Sequence, residues 1–317
     1  MIALGIAMGL SPVLPTVGHR SVALSSPVLM VTPQTGGDVA DQSLSSLPRA
    51  ADRPAPPFKI DPNALGVVVT ADSALVIDGA TGRVLFEKQA DTPRSIASIT
   101  KLMTALVFLE HNPGWQTTVT ITAADATNGG VSLLSVGQEV SVRDLFYAML
   151  VRSVNSAASA LARSTGLSEG EFTAAMNAKA ASLGMASAVF IEPTGLHARN
   201  QASAVDVAKL VSAALAETAI TNATTLPSFR LTTVNGDQQL LESTDQLLGS
   251  FLNTNGYQII GGKTGHIDNA GYSFTVVVAD RDGHQIISVV LGSASLDDRF
   301  TDTKALVNWA FSHYRWP

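Results

Sequence analysis

Ser98 and Lys101 form the first pair of residues whose types and spacing suit a chemical reaction. They stand three apart at the start of a predicted buried helix, so both side chains lie on one helix face within reach of each other. A lysine that is partly removed from water has a lowered pKa and can take the proton of a serine hydroxyl. The pair alone is equally explained by a helix-start serine followed by a lysine whose amine reaches solvent. The chain has only seven lysines, however, and an apolar helix face is a costly place for one.

Two further polar clusters follow later in the chain. Ser153-Val154-Asn155 lies between two apolar helical stretches, where a serine on its own predicts an N-cap for the next helix. Lys263-Thr264-Gly265 directly precedes a predicted core strand, where on its own it predicts a charged turn. Neither cluster identifies a function when it is taken singly.

Other chemistries find little support in residue type and spacing. The six histidines lack a His-x-x-x-His or equivalent spacing and the chain has no cysteine, so a protein-bound metal is not predicted. Gly262-Lys263-Thr264 ends like a phosphate-binding loop, but the required first glycine is Tyr257, which argues against nucleotide binding. We therefore predict neither a metal nor another cofactor.

Taken in order, the three clusters resemble those of the serine penicillin-recognising enzymes: Ser-x-x-Lys, then Ser-x-Asn, then Lys-Thr-Gly. The segments SIASITKLMTALV, EPTGLH and GGKTGHIDNAGYSF are similar to those of the D-alanyl-D-alanine carboxypeptidases, the low-molecular-mass penicillin-binding proteins. The resemblance covers roughly residues 64–317. It implies a serine hydrolase that removes the terminal D-Ala from peptidoglycan stem peptides and that binds β-lactam antibiotics.

The resemblance also implies a role for each residue of the first two clusters. Ser98 attacks the carbonyl carbon of the penultimate D-Ala and forms an acyl-enzyme, while Lys101 accepts the serine proton. Ser153 relays a proton to the departing amine. Asn155 orients the lysine and holds the backbone amide of the substrate.

The third cluster is implied to bind substrate. Lys263 and Thr264 hold the terminal carboxylate, and the charge of Lys263 disfavours a charged amine on the lysine of the first cluster. Gly265 and His266 complete the expected substrate-binding group. The backbone N–H groups of Ser98 and His266 form the expected oxyanion hole, which leaves the imidazole of His266 without a catalytic part.

Two departures from the family pattern keep alternatives open. Ser156 follows the second motif where the family commonly has Asp, and Glu192 stands where such enzymes usually carry Asn. Glu192-Pro193 resembles the glutamate that activates the deacylating water of class A β-lactamases, although the following Thr194-Gly195-Leu196 fits the carboxypeptidases better. The alternatives are a class A-like β-lactamase, a DD-endopeptidase that cuts cross-links and, less favoured, a non-catalytic cell-wall-binding domain.

Strand patterns at both ends and helix patterns between them must position these residues. Strands are predicted at 74–78, 83–88, 118–122, 271–279 and 285–292, and helices at 95–110, 142–151, 154–165, 168–183, 202–216 and 297–314. This order predicts an α/β (α+β) fold, in which an antiparallel sheet is flanked by helices and carries an inserted all-helical subdomain. The resemblance implies the β-lactamase/DD-peptidase type of this fold.

Composition limits the partners and divides the chain. Its 317 residues are 46% hydrophobic and 15% charged, with a net charge of -6 and no basic run, so nucleic acid is not an expected partner. Residues 1–32 resemble the apolar core of a secretory signal, and no other segment is long and apolar enough to cross a membrane. Nine of the 14 prolines lie at or before Pro62, so 33–63 is predicted to be a disordered linker and 64–317 the catalytic domain. We therefore expect an exported protein, periplasmic or extracellular and associated with the cell wall.

Overall fold

The main sheet of the fold joins strands that lie far apart in the sequence. The structure is a computed structural model, and it describes residues 54–126, 133–254 and 256–317. In these ranges the strands are β1 Phe58–Lys59, β2 Ser73–Asp78, β3 Val84–Lys88, β4 Arg94–Ser95, β5 Thr118–Thr120, β6 Glu139–Ser141, β7 Gln201–Ala202, β8 Ser228–Thr232, β9 Gln238–Glu242, β10 Gln258–Ile267, β11 Gly271–Ala279, β12 Gln285–Ser293 and β13 Tyr314–Arg315. The α-helices are α1 Thr100–Glu110, α2 Val142–Val151, α3 Asn155–Ser164, α4 Glu169–Ser182, α5 Ala204–Leu215, α6 Thr218–Thr224 and α7 Leu296–His313. The predictions for residues 1–32 and for 33–53 of the linker lie outside the described residues.

Five of these strands form an antiparallel sheet in the order β10-β11-β12-β2-β3. The contact between β12 and β2, in which Val289 lies opposite Leu75, joins the end of the chain to the first hairpin. The sheet predicted from distant segments is therefore confirmed, and both predicted hairpins are present.

Alternate residues along the sheet strands supply two separate cores. Leu75 and Val277 pack into a cluster with the helices α1 to α5, while their neighbours Val76 and Val276 pack into a second cluster with α7. This period of two is what a strand buried on both faces requires. Helices thus cover both sides of the sheet, as the fold class predicts.

Helices α1 to α6 lie between β3 and β10 in the sequence and make up the inserted helical part. Their starts are encoded locally: the Ser141 side chain accepts from the amide of Asp144 to cap α2, and Ser168 with Glu171 forms a capping box on α4. The predicted limits of α2 to α5 differ from the observed ones by two residues at most. Among the described residues, no helix combines the length and apolar character that a membrane crossing needs.

Several elements were not predicted. The hairpin of β8 and β9, the short helix α6 and the long strand β10 lack a clear apolar period. The short pair of β1 and β13 is also unpredicted: Phe58–Lys59, within the predicted linker, pair with Tyr314–Arg315. The catalytic-domain boundary at residue 64 stays a prediction.

Candidate active site

The nucleophile candidate Ser98 lies in a tight turn that leads into α1. It belongs to a short 3₁₀ helix, Ala97–Ile99, which is followed directly by α1. Ala97 has a φ of 45°, so the main chain takes a left-handed conformation just before the serine. Lys101 follows in the first turn of α1, and its Nζ donates a hydrogen bond to Ser98 Oγ at 2.9 Å. The structure therefore brings together the pair that the three-residue spacing predicts.

Lys101 is fully buried, with 0% of the residue exposed. Its Nζ also donates to Asn155 Oδ1 at 2.7 Å and to the main-chain oxygen of Thr194 at 2.5 Å. Burial lowers the pKa of Lys101 to about 7, and the carboxylate of Glu192 opposes this effect without overcoming it. Near neutral pH much of the amine is therefore in the free-base form, which is the form that can accept the proton of Ser98.

Ser153 lies across the cleft and does not cap α3. The N-cap position is Val154 and no side chain caps this helix, so the reading of Ser153 as an N-cap is wrong. Ser153 itself has a φ of 63°, which turns its hydroxyl toward β10, where Lys263 Nζ donates to Ser153 Oγ at 3.0 Å. Because Asn155, two residues further along the chain, contacts Lys101, the second cluster links the two lysines.

Lys263, Thr264 and Gly265 lie inside β10, so the prediction of a charged turn before a strand is wrong. The strand was hidden because its sequence, QIIGGKTGHI, contains three glycines, which disfavour strands. Gly265 has a steric purpose, since a Cβ there would lie 2.7 Å from the main-chain oxygen of Ile96. The glycine lets the edge strand β10 lie directly against residues 96–99, the turn that carries Ser98, here named the nucleophile turn.

Lys263 is the second buried lysine of the cleft. Burial lowers the pKa of Lys263 well below its ordinary value, and the charges of Lys101 and Arg299 lower it further, while Asp245 opposes them. Its Nζ also donates to the main-chain oxygen of Thr264 at 3.0 Å. The hydroxyl of Thr264 bonds to the hydroxyl of Thr244 at 2.7 Å.

His266 comes next on β10 and is exposed. Its ring stacks on that of Tyr272, with ring centroids 4.1 Å apart. The imidazole therefore packs at the edge of the cleft, on the partner strand β11.

Arg299 was missed by sequence reasoning. It projects from α7, is only 6% exposed, and lines the cleft with Ser98, Ser153 and Thr264. Burial lowers its pKa to about 10, and its Nη1 lies 3.4 Å from the main-chain oxygen of Gly265. The sequence carries little signal for it, because an arginine in an amphipathic helix is normally solvated.

The cleft that these residues line has a volume of about 570 Å³. Ser98 lies on one wall, Ser153 and Asn155 on another, and the end of β10 on a third. The departure at Ser156 leaves this arrangement in place, since Ser153 and Asn155 keep their contacts with the two lysines. The group as a whole can activate a serine and bind an anion beside it.

A group with ligands for a cation lies elsewhere. Within the described ranges it consists of Asp280, Asp282 and His284, in the turn between β11 and β12. Asp280 Oδ1 accepts from the amides of Asp282 and His284, which explains the carboxylate as part of the turn. The turn lies at the opposite end of β11 from Tyr272, so it has no part in the cleft.

Comparisons with known proteins, in sequence and in fold, point to the family that the three motif clusters resemble. The family described as D-alanyl-D-alanine carboxypeptidase matches residues 60–295. The D-alanyl-D-alanine endopeptidase of Haemophilus influenzae is 34% identical over 239 residues, which are 74% of this chain and 80% of that protein. The Streptomyces K15 DD-transpeptidase has a TM-score of 0.72 at 29% identity, covering 78% of this chain and 100% of that one.

A second solved structure has a β-lactam bound. Penicillin-binding protein D2 from Listeria monocytogenes, in its ampicillin-bound form, has a TM-score of 0.67 at 33% identity, with the same coverage of 78% and 100%. The family match spans the part of the chain that carries the three clusters. With most of its length matched in sequence and its sheet and helices matched in space, the chain belongs to the D-alanyl-D-alanine carboxypeptidase family.

Proposed function

We propose that this protein is a serine D-alanyl-D-alanine carboxypeptidase that removes the terminal D-Ala from peptidoglycan stem peptides through an acyl-enzyme on Ser98. One observation carries the proposal. The amine of Lys101 is buried, has a pKa lowered to about 7, and donates to Ser98 Oγ at 2.9 Å. With a pKa near 7 the amine loses its proton readily, and the free amine, within hydrogen-bonding distance of the hydroxyl, is suited to be the base that activates the serine.

In the acylation step, Ser98 Oγ forms a bond to the carbonyl carbon of the penultimate D-Ala while its proton passes to Lys101 Nζ. The C–N bond to the terminal D-Ala then breaks, and the leaving nitrogen takes up a proton and departs as free D-Ala. Ser153 Oγ is suited to deliver that proton and to be reprotonated by the amine of Lys263, which donates to it at 3.0 Å. The proton on Lys101 returns to solvent, from which Lys263 regains its own. Water then hydrolyses the ester on Ser98 and restores the hydroxyl.

The anion that the substrate brings is its terminal carboxylate. Lys263, the hydroxyl of Thr264 and Arg299 supply cationic and hydrogen-bonding groups around one end of the cleft. A carboxylate there offsets the repulsion between the two buried cations, which supports its binding at this end. The backbone N–H groups of Ser98 and His266 remain the proposed oxyanion hole, since Gly265 keeps β10 close to the nucleophile turn.

A DD-endopeptidase that cuts cross-links is the second candidate. The relative from Haemophilus influenzae is named an endopeptidase, and another endopeptidase from Pseudomonas aeruginosa is 32% identical over 244 residues. Both reactions use the same bond chemistry and differ in what lies beyond the leaving nitrogen. Mass spectrometry of purified peptidoglycan fragments after incubation separates them: monomers shortened by D-Ala indicate a carboxypeptidase, and dimers converted to monomers an endopeptidase.

A β-lactamase is disfavoured by the state of Glu192. Both carboxylate oxygens already accept hydrogen bonds from the protein, from groups at Thr194, Gly195 and Asn200 among others. A base that activates a water needs a lone pair free to bind it. We therefore expect slow release of the penicilloyl group and faster turnover of a D-Ala-D-Ala peptide.

The proposed setting is outside the cytoplasm, at the cell wall. The signal-like segment 1–32 supports export, and the substrate class of the family is a wall polymer. β-Lactams are the proposed inhibitors, because penicillin-binding protein D2 of the same fold has been solved with ampicillin.

Covalent labelling tests the assignment of the nucleophile. A fluorescent penicillin should label the full chain, the label should map to the peptide that contains Ser98, and Ser98→Ala should abolish it. Ser212→Ala, at an exposed serine on α5, is the matched control and should label like the natural protein. Labelling that persists in Ser98→Ala would show that the nucleophile is another residue.

A further inference from the structure

The segment 192–200, here named the 192–200 turn, is organised around one carboxylate. Glu192 Oε2 accepts from the amide of Thr194 at 2.6 Å and from its hydroxyl at 2.5 Å. Glu192 Oε1 accepts from the amide of Gly195 at 2.7 Å, from the amide of His197 at 3.3 Å and from Asn200 Nδ2 at 2.6 Å. Five donors on four residues therefore converge on a single side chain.

Asn200 closes this network from the other end of the turn. Its Nδ2 also donates to the main-chain oxygen of Glu192 at 3.0 Å, and its Oδ1 accepts from the amide of Ile191 at 2.8 Å. Asn200 is fully buried, so these bonds are shielded from water. The start and the end of the turn are thereby tied to each other.

The fixed turn contacts the nucleophile helix at three successive points. The main-chain oxygen of Pro193 accepts from Thr104 Oγ1 at 2.6 Å, and that of Thr194 accepts from Lys101 Nζ at 2.5 Å. A Cβ at Gly195 would lie 2.1 Å from the main-chain oxygen of Ala97, so the turn also touches the residue before Ser98. The turn thus follows the start of α1 and the 3₁₀ helix before it, from position 104 back to position 97.

Resting on the function proposed above, we propose that Glu192 is a positioning residue for acylation: its carboxylate fixes the 192–200 turn so that the Thr194 carbonyl holds the Lys101 amine beside Ser98 Oγ. Glu192 does not touch the reacting atoms. It acts through a main-chain oxygen, and a main-chain oxygen can be held in place only by ordering the turn that contains it.

Charge gives Glu192 a second effect on the same amine. The charged groups that face Lys101 are Glu192 from the turn and Lys263 from β10, while its contact on α3 is the neutral Asn155. The carboxylate raises the pKa of Lys101 against the lowering by burial. Removing the carboxylate, or letting the Thr194 carbonyl move away, therefore lowers this pKa further, and both changes act in the same direction.

The test is the pH dependence of acylation by a fluorescent penicillin, measured as the second-order rate constant on the full chain. In Glu192→Gln the rate constant on its plateau above the acid limb should fall by about 10- to 100-fold, because the base is misplaced. The acid limb is the part of the pH profile in which the rate constant falls as Lys101 becomes protonated, and it lies near pH 7 in the natural protein. In the variant it should move to lower pH by about 0.5 or more. Glu217→Gln, at an exposed glutamate that makes no cap on α6, is the matched control and should change neither quantity.

Glu192→Asn is the second variant, because it also removes the carboxylate and keeps a polar side chain, which is one CH₂ group shorter. It should move the acid limb in the same direction. Melting curves of both variants separate loss of fold from loss of position. A lowered plateau with an unmoved acid limb in a folded variant would overturn the inference, since a merely structural role changes the amount of active protein and not the pKa of its base.

The outcomes distinguish this inference from the proposed function. If the natural protein fails to acylate at Ser98, the proposed function fails. If it acylates at Ser98 and both Glu192 variants acylate with unchanged rate and acid limb, the function stands and the positioning role is wrong. If Glu192→Gln slows only the release of the penicilloyl group, Glu192 is a deacylation base and the inference is likewise wrong.

Discussion

The two lysines of the cleft are alike in burial and different in how they are held. Both are at most 1% exposed, and burial lowers the pKa of each. Lys101 donates to three acceptors on three separate segments, at Ser98, Asn155 and Thr194. Lys263 donates to one hydroxyl of another segment, Ser153, and to the main-chain oxygen next to it in the same strand.

The balance of charges around the two lysines differs: one anion and one cation face Lys101, whereas one anion and two cations face Lys263. Lys101 faces the carboxylate of Glu192, which offsets part of the cost of its charge. Lys263 faces two cations, Lys101 and Arg299, with Asp245 as the opposing charge, and burial raises the pKa of Asp245 to about 6. The first lysine is therefore fully provided with protein partners, whereas the second lies where an added anion is most stabilising. This contrast fits the roles proposed above, with Lys101 as a base that is held in place and Lys263 as a group that receives a substrate carboxylate.

Removing the base should have the largest effect. Lys101→Ala takes away the proton acceptor and leaves its three acceptors without their donor, so penicillin acylation should fall by roughly 10²- to 10⁴-fold. The measurement is the rate of fluorescent penicillin labelling, with a melting curve to verify the fold. Lys304→Ala on α7 is the matched control and should label at the natural rate. Near-normal labelling of a folded Lys101→Ala protein would mean that another group takes the proton.

Two glycines with the same φ test how closely the 192–200 turn packs beside Lys101. Gly195 and Gly166 both have φ of 81°, so an alanine costs roughly 1–2 kcal/mol of backbone strain at either position. A Cβ at Gly195 would also meet Ala97 at 2.1 Å, whereas one at Gly166 has nothing within 4 Å. Gly195→Ala should therefore lose a further 1–3 kcal/mol or so of unfolding free energy and most of its labelling, while Gly166→Ala labels normally. Denaturant unfolding measures the difference, and equal losses would show that the turn has room to move.

The elements that the sequence predicted well are those with local signals. Helices α2, α4 and α5 begin at capping serines, and all four helices from α2 to α5 repeat apolar residues at helical spacing, so their limits were predicted closely. Strand β10 was missed because its glycines serve close approaches, of Gly265 to Ile96, of Gly262 to the neighbouring strand β11 and of Gly261 to Leu215, and such contacts leave no periodic pattern in the sequence.

The residues of the active site likewise fall into those that the sequence predicted and those that it could not. The contact between Ser98 and Lys101 follows from a three-residue spacing, and their meeting with Ser153, Asn155 and Lys263 was implied by the order of the motifs. The acceptor at Thr194 could not be predicted, because it is a main-chain oxygen and its position depends on the fold of a whole turn. Arg299 gave no signal either, since its burial is set by β10 and α7 packing together.

Removing the second lysine should have a smaller effect on rate and a clear one on selectivity. Lys263→Ala should slow acylation and reduce the preference for a peptide acid over its amide by roughly 10- to 100-fold, the usual range for a charge-assisted hydrogen bond. Rates of D-Ala release from the two peptides measure this preference, with Lys304→Ala again as the control. An unchanged preference would show that Arg299 or another group binds the carboxylate alone.

The Lys263→Ala variant also tests whether the charges of the two lysines act on each other. The charge of Lys101 lowers the pKa of Lys263, and repulsion between two amines acts on both partners. Loss of Lys263 should therefore raise the pKa of Lys101, and the acid limb of acylation should move to higher pH in Lys263→Ala. This is the opposite of the direction expected for Glu192→Gln. A limb that stays in place in Lys263→Ala would mean that the two lysines do not influence each other in the free enzyme.

The smallest effect is expected far from the cleft, from shortening the N-terminus. A protein of residues 64–317 lacks β1 but keeps Leu65, whose main-chain oxygen accepts from Trp309 Nε1 at 2.8 Å on the sheet face opposite the helical insert. It should unfold cooperatively with about 1–2 kcal/mol less stability than a protein of residues 54–317, because the few hydrogen bonds of β1 to the end of the chain and the contact of Lys59 with the Trp309 ring are lost. Both proteins should label with penicillin at the same rate, because β1 touches neither lysine. Loss of the cooperative transition in 64–317 alone would move the start of the catalytic domain upstream of β1.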